Sequence, residues 1–228
     1  MAARPRTRSA SRRAGRPGPR AVGPSNSQLR RRRLTVVLVL LLCGLLAFLI
    51  SPLFEKAIQR LTLPLQYQSI IRQEAAAKRL DPALIAAVIY AETRFDARTS
   101  PTGAEGLMQI EPATAEFLAH RSGATAFTTT DLATPAVNIA YGSYYLRYLM
   151  DEFSDSGQPS NTTEMLALAA YNGGETNVQR WLADVRARGE TFTIADIPFP
   201  QTRAYVQKVM QVQQQYRHKY AHELGYQD

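Results

Sequence analysis

The chain has 228 residues, 45% hydrophobic and 20% charged, which suits one domain with a sizeable core and is cramped for two. Its formal charge of +8 invites a nucleic-acid partner until it is divided: 11 of the 27 Lys and Arg, with no Asp or Glu, fall in residues 1–33, and the remainder is weakly acidic. No aromatic residue accompanies those arginines, so no nucleic acid is expected, and the single Cys43 excludes a disulfide within the chain.

Residues 1–33 are rich in Arg, Pro, Ser, Gly and Ala. With so few large apolar residues they cannot offset the entropy of ordering, and they read as a disordered basic tail that touches anionic lipid. From Leu34 to Phe54 no residue is charged. At about 1.5 Å rise per residue this run spans a hydrocarbon core of roughly 30 Å, so residues 34–54 are read as a single transmembrane helix. Arg30 to Arg33 on one side, against Glu55 and Lys56 on the other, place the N-terminus in the cytoplasm and the remainder outside the cytoplasmic membrane. The exit "AFLISP" lacks a small-x-small cleavage site, and Leu42 stands where a lipoprotein needs a small residue before Cys43. The apolar core is also too strong for a simple twin-Arg export signal, so a retained anchor is favoured over a cleaved leader. Residues 55–64 form a juxtamembrane linker.

Residues 65–223 read as a mainly helical domain. "LQYQSIIRQEAAAKRL" is amphipathic, and Asp81-Pro82 supplies an N-cap with proline at the first helical position. The helix that follows, expected over Pro82–Arg94, is apolar on nearly every side and is therefore placed at the centre. "PATAEFLAH" gives a short helix and "TPAVNIAYGSYYLRYLMDEF" a long one. Asn161 with Glu164 forms a capping-box pattern opening "TTEMLALAAYN", which Gly173-Gly174 closes. "ETNVQRWLADVRAR" and "PQTRAYVQKVMQVQQQYRHKYAHEL" complete the helices, and only "TFTIADI" hints at a strand.

One residue of the central helix stands out. Glu92 follows Ile85, Val88 and Ile89 by 7, 4 and 3 residues and shares their apolar face. Burial and the negative end of the helix dipole both raise its pKa, and a carboxyl kept protonated near neutral pH is what general-acid catalysis at an ether or acetal oxygen requires. A helix-terminal Glu turned to solvent, or paired with Arg94 or Arg98, fits the spacing equally well. Downstream, "SPTGAEGLMQIEPATA" sets Gly103 and Gly106 in a loop where backbone groups could approach a ligand closely, beside the amide of Gln109.

Four segments in order, "AETRFDARTSPTGAEGLMQIEPATA", "PAVNIAYGSYYLRYL", "ALAAYNGG" and "IPFPQTRAYVQKV", resemble the motifs of the soluble-type lytic transglycosylase catalytic domain. The resemblance covers roughly residues 65–216. It implies a lysozyme-like helical fold of the goose-lysozyme and transglycosylase type, acting on the glycan strands of bacterial peptidoglycan with no metal or cofactor. It makes Glu92 the single catalytic acid and base, and sets Gln109, Tyr171, Asn172 and Tyr205 in the sugar cleft. Thr93, Ser100, Gly106, Met108, Glu111 and Gln201, in the same motifs, complete the residues expected to bind substrate. Thr93 stands where Ser is commoner, Glu111 where Met is usual and Gln201 where Glu is usual, and the loop from Glu92 to Ser100 is one residue short.

The resemblance further implies a one-carboxylate mechanism ending in a 1,6-anhydro sugar. From the residues alone, Asp96, Glu105 and Glu111 remain candidates for a second carboxylate, which a water-using muramidase would need. Loss of turnover in a glycan-binding scaffold is a third reading. Tyr141, Tyr144, Tyr145 and Tyr148 fall at helical spacing and are read as packing residues, as is Trp181. His218 and His222, four apart without a third ligand, are read as lying on the solvated face of the last helix, and His120 has no visible partner in the sequence.

Overall fold

The computed structural model describes Leu42, Gly44 and residues 63–226. The chain divides into Met1–Phe54 and Glu55–Asp228. Of the first unit only Leu42 and Gly44 are described, both helical, so the expected tail, and the expected anchor apart from these two residues, lie outside the described residues, as does the linker up to residue 62. Among the described residues no helix is long and apolar enough to cross a membrane.

The second unit is built of helices. Helix α1 (Gln68–Lys78) lies between two left-handed residues, Tyr67 and Arg79. Helix α2 (Pro82–Glu92) starts as expected, with the Asp81 side chain accepting from the Ala83 amide at 2.9 Å and Pro82 in the first turn. Every residue from Ala83 to Ile89 is buried, as a helix apolar all round requires. It ends two residues earlier than its sequence suggests, because Arg94 and Phe95 both take left-handed backbone, at φ 55 and 65. That conformation cannot continue a right-handed helix.

Helix α3 (Pro112–Ser122), helix α4 (Pro135–Ser154) and helix α5 (Ser160–Gly173) follow. Helix α6 (Glu175–Ala187), helix α7 (Pro200–Lys219) and the short helix α8 (Ala221–Leu224) complete the chain. Helix α7 lies along α2 and also packs on α5, α5 packs on α4 and α6, and α1 bridges α2 and α4. One continuous core results, running from Ile71 through α2 to Val209 and Tyr216.

Two local expectations are corrected. The Asn161–Glu164 capping box does not open α5, which begins at Ser160 behind Pro159 with no side-chain cap. Glu164 instead accepts from Gln213 on α7 at 3.4 Å. "TFTIADI" is not a strand but a 3-10 turn, Ile194–Asp196, because the Asp196 carboxylate accepts from the Thr193 amide at 2.8 Å and its hydroxyl at 2.7 Å and folds the segment on itself.

The two ends of α2 are held differently. At the start, Asp81 accepts from Gln213 at 2.8 Å, from Arg217 Nε at 2.7 Å and from the Tyr226 hydroxyl, tying the cap to α7 and the C-terminal segment. At the other end stands Glu92, on the edge of a cleft.

Candidate active site

The cleft holds about 450 Å³ and its lining is more polar than apolar. Helix α2 brings Glu92 to it. One wall is the segment that follows, in which Glu105 and Ile110 form an isolated antiparallel bridge with backbone hydrogen bonds of 2.9 and 3.0 Å. Gln109 closes that turn in left-handed backbone, φ 50, a conformation uncommon outside glycine. Its amide nitrogen donates to the carbonyls of Arg98 at 2.7 Å and Gly106 at 2.8 Å. Both amide hydrogens are thereby used, and the acceptor oxygen is what Gln109 has left for a ligand.

Seven of the residues expected from sequence line this one cleft: Glu92, Ser100, Gln109, Glu111, Tyr171, Asn172 and Gln201. Four do not. Thr93 is buried behind the wall, its hydroxyl 2.8 Å from the Leu107 carbonyl and 3.2 Å from that of Ile89, so it fastens the wall to α2. Gly106, expected to let backbone approach a ligand, is pressed against Asn138: a Cβ built there would lie 2.2 Å from Asn138 Nδ2. Met108 is fully buried, its sulfur 2.3 Å from where a Cβ on Gly142 would stand. Tyr205 is buried next to Glu92.

Thr93→Val should lower stability by about 1–2 kcal/mol, since it leaves the Leu107 carbonyl without its donor, while Thr93→Ser should restore most of the loss. Urea denaturation of the three proteins measures the difference.

Asn138 of α4 is the main residue the sequence reading passed over. It is fully buried. Its Oδ1 accepts from the Met108 amide at 2.8 Å, and its Nδ2 donates to the carbonyls of Glu105 at 2.8 Å and Leu132 at 3.1 Å. The Met108 carbonyl accepts from the Tyr171 hydroxyl at 2.7 Å. The wall is thus pinned to α4 and α5 at one residue. Tyr145 packs against the core, as read from sequence, and also lines the cleft, its ring 5.3 Å from that of Tyr171. Tyr148 stacks on Tyr145 and donates to Glu175 at 3.1 Å, Trp181 is buried against Phe199, and His120, His218 and His222 are exposed. Among the described residues no group of three or more His, Cys, Asp and Glu is placed to hold a metal ion.

The pKa of Glu92 is raised from 4.5 to about 7: burial pushes it up, and the Tyr205 hydroxyl, the Lys208 ammonium and the Arg98 guanidinium each offset part of that rise. Tyr205 Oη has no partner at full hydrogen-bond geometry, so its contact with Glu92 is directed but loose. Burial first, then the charge of Glu92, hold the Tyr205 and Tyr171 hydroxyls well above the ordinary phenol range, keeping both protonated as donors. Arg98 does not pair with the Glu92 carboxylate; its Nη2 donates to the Glu92 carbonyl at 2.9 Å. Of the three candidate second carboxylates only Glu111 lines the cleft, and it is exposed at the start of α3. Glu105 accepts from Thr99 at 2.9 Å and Asp96 is exposed outside the cleft.

A helical domain in which the Glu92 carboxyl, raised to about 7, opens onto a polar cleft belongs in the class of lysozyme-like folds. The sequence narrows this: residues 69–193 match the family described as "Transglycosylase SLT domain", and the chain belongs to that family. It is 29% identical over 158 residues to the "Soluble lytic murein transglycosylase" of Escherichia coli strain K12, covering 68% of this chain and 23% of that protein. It is 35% identical over 102 residues to the "Membrane-bound lytic murein transglycosylase F" of Erwinia tasmaniensis, covering 44% and 19%. Among solved structures, an inactive Glu-to-Gln mutant of the lytic transglycosylase Slt from Pseudomonas aeruginosa superposes with a TM-score of 0.60 at 32% identity, over 70% of this chain and 25% of that one. The expected mainly helical, lysozyme-like transglycosylase fold is therefore the fold observed. The chain spans about a quarter of the length of the first of these relatives.

Proposed function

We propose that this protein is a peptidoglycan lytic transglycosylase that cleaves the β-1,4 bond between N-acetylmuramoyl and N-acetylglucosaminyl residues. The observation that carries this reading is the setting of Glu92: its carboxyl, raised to about 7, is half protonated near neutral pH, and no second carboxylate in the cleft is comparably buried. Glu92 donates its proton to the glycosidic oxygen as the bond from the anomeric carbon breaks, and the 2-acetamido oxygen of the muramoyl sugar closes on that carbon. The Glu92 carboxylate then takes the proton of the 6-hydroxyl, whose oxygen displaces the acetamido group and forms the 1,6-anhydro ring. No water is consumed, and a nucleophile carried by the sugar itself substitutes effective molarity for a positioned solvent molecule.

Tyr205, next to Glu92, offers its protonated hydroxyl to the carboxylate and favours the ionised form. Ser100, Gln109, Glu111, Tyr171, Asn172 and Gln201 bind the sugars along the cleft, and Thr93, Gly106 and Met108 support them from behind. Residues 34–54 anchor the enzyme in the cytoplasmic membrane with its catalytic domain outside, a reading supported by their uncharged run and by the membrane-bound relative.

Full-length protein in detergent, incubated with purified peptidoglycan, should release muropeptides whose ends are lighter by one water than reducing ends. Reducing ends in their place would identify a muramidase, with Glu111 as the base that activates water. Binding by folded protein without any fragments would reject both enzyme readings.

A further inference from the structure

The last turn of α2 has two free carbonyls at the point where it presents Glu92, and both are taken by cations from elsewhere in the chain. Lys208 of α7 donates from Nζ to the Ala91 carbonyl at 3.0 Å, and Arg98 donates to the Glu92 carbonyl at 2.9 Å. Lys208 is part-buried, and its ammonium also lies 5.5 Å above the ring of Tyr90, in the same turn. Nothing in the local chain demands a lysine here, because surface carbonyls at a helix end can be satisfied by water. A desolvated ammonium held against the backbone of the residue preceding an acid is a specific arrangement.

We propose that Lys208 is a positioning residue of this site, clamping the last turn of α2 to α7 so that Glu92 enters the cleft in one orientation and beside a fixed positive charge. The proposal rests on the reading of Glu92 as the acid. Arg98 holds the neighbouring carbonyl from the wall side, so the turn is gripped from both flanks. The charged and titratable groups facing Glu92 are Lys208 and Tyr205 from α7, Arg98 from the loop and Tyr171 from α5. Those facing Lys208 are Arg94, Tyr90 and Glu92 itself. Two opposed influences therefore meet at the carboxyl: burial favours the protonated form, while the clamp's cations favour the ionised form that must follow proton donation. A group that acts first as acid and then as base needs neither form to dominate.

The test compares Lys208→Met and Lys208→Arg with the full-length wild type in detergent, each checked for folding by thermal melting. For Lys208→Met the alkaline limb of kcat/KM for glycan cleavage should move up by about half a pH unit, because losing a nearby cation raises an acid's pKa. Its kcat should fall roughly tenfold with KM changed less than about twofold, since geometry is lost and binding contacts are kept. Lys208→Arg, which retains charge and donor, should recover most of both. A Lys208→Met protein that melts lower but keeps its pH limb would show a merely structural lysine and overturn the proposal. A second readout needs no turnover: 13C NMR titration of the Glu92 carboxyl, assigned by its disappearance in Glu92→Gln. An upward shift in Lys208→Met supports the clamp even if wild type releases no fragments, in which case the transglycosylase reading fails alone; an unmoved titration overturns the clamp.

Discussion

Glu92→Gln should lose glycan cleavage by at least about 10³-fold and at the same time make the folded protein more stable above pH 7. The two effects share one origin. In the unfolded chain Glu92 titrates near 4.5 and in the folded protein near 7, so between those values the folded state binds the extra proton. Stability then falls as pH rises through this window, and below about 4.5 the carboxyl makes no such contribution. At about 1.4 kcal/mol per unit, the ionised carboxylate costs the fold about 3 kcal/mol at pH 8. Gln keeps an acceptor for Tyr205 and cannot ionise. Its melting temperature should match wild type near pH 4 and exceed it by roughly 6–12 °C at pH 8. Equal melting curves at both pH values would show that the carboxylate is solvated, and with it that Glu92 is not the poised acid.

The second large effect lies in the wall. Asn138→Ala should destabilise by about 2–3 kcal/mol, because it leaves the Met108 amide and the Leu132 carbonyl buried without the Asn138 partner and takes from the Glu105 carbonyl one of its two donors, the Ile110 amide remaining. Gly106→Ala should be comparably damaging for a different reason. Its φ of +76 disfavours any side chain, and the new Cβ would stand 2.2 Å from Asn138 Nδ2 and 2.8 Å from the Leu132 carbonyl. Because part of that clash is with the Asn138 amide itself, the double variant should lose less than the two single losses combined. Denaturant midpoints of the four proteins test this, and strict additivity would mean that the two sites do not share the wall.

The central helix was legible because its pattern is local: an Asp-Pro start, an apolar run without a polar side, and one carboxylate on the face of Ile85, Val88 and Ile89. Its end was not, since nothing in "TRF" announces that Arg94 and Phe95 adopt left-handed backbone. The cleft was largely legible through motif order, which gathers residues from α2, α5 and the wall that spacing alone cannot bring together. Sequence reasoning faltered where a residue works backwards into the protein. Thr93, Gly106 and Met108 stand in motifs beside cleft residues, and only three-dimensional packing shows that they hold the wall from behind. Asn138 was missed although a signal existed: it is a polar residue on the same helical face as Gly142 and Tyr145 of α4, the very anomaly that singled out Glu92. Lys208 carried no signal at all, since its partner carbonyl lies 117 positions away.

Met108 donates a hydrogen bond from its amide to Asn138 of α4, accepts one at its carbonyl from Tyr171 of α5, and fills the notch left by Gly142. A loop anchored at three points by its own fold has lost its freedom before any ligand arrives. The entropy of ordering that wall is then charged to folding and not to association, and a strand entering the cleft meets a template already set. Calorimetry of glycan binding to Glu92→Gln should accordingly report only the heat-capacity change of the surfaces brought together, with no added component from a loop condensing around its guest.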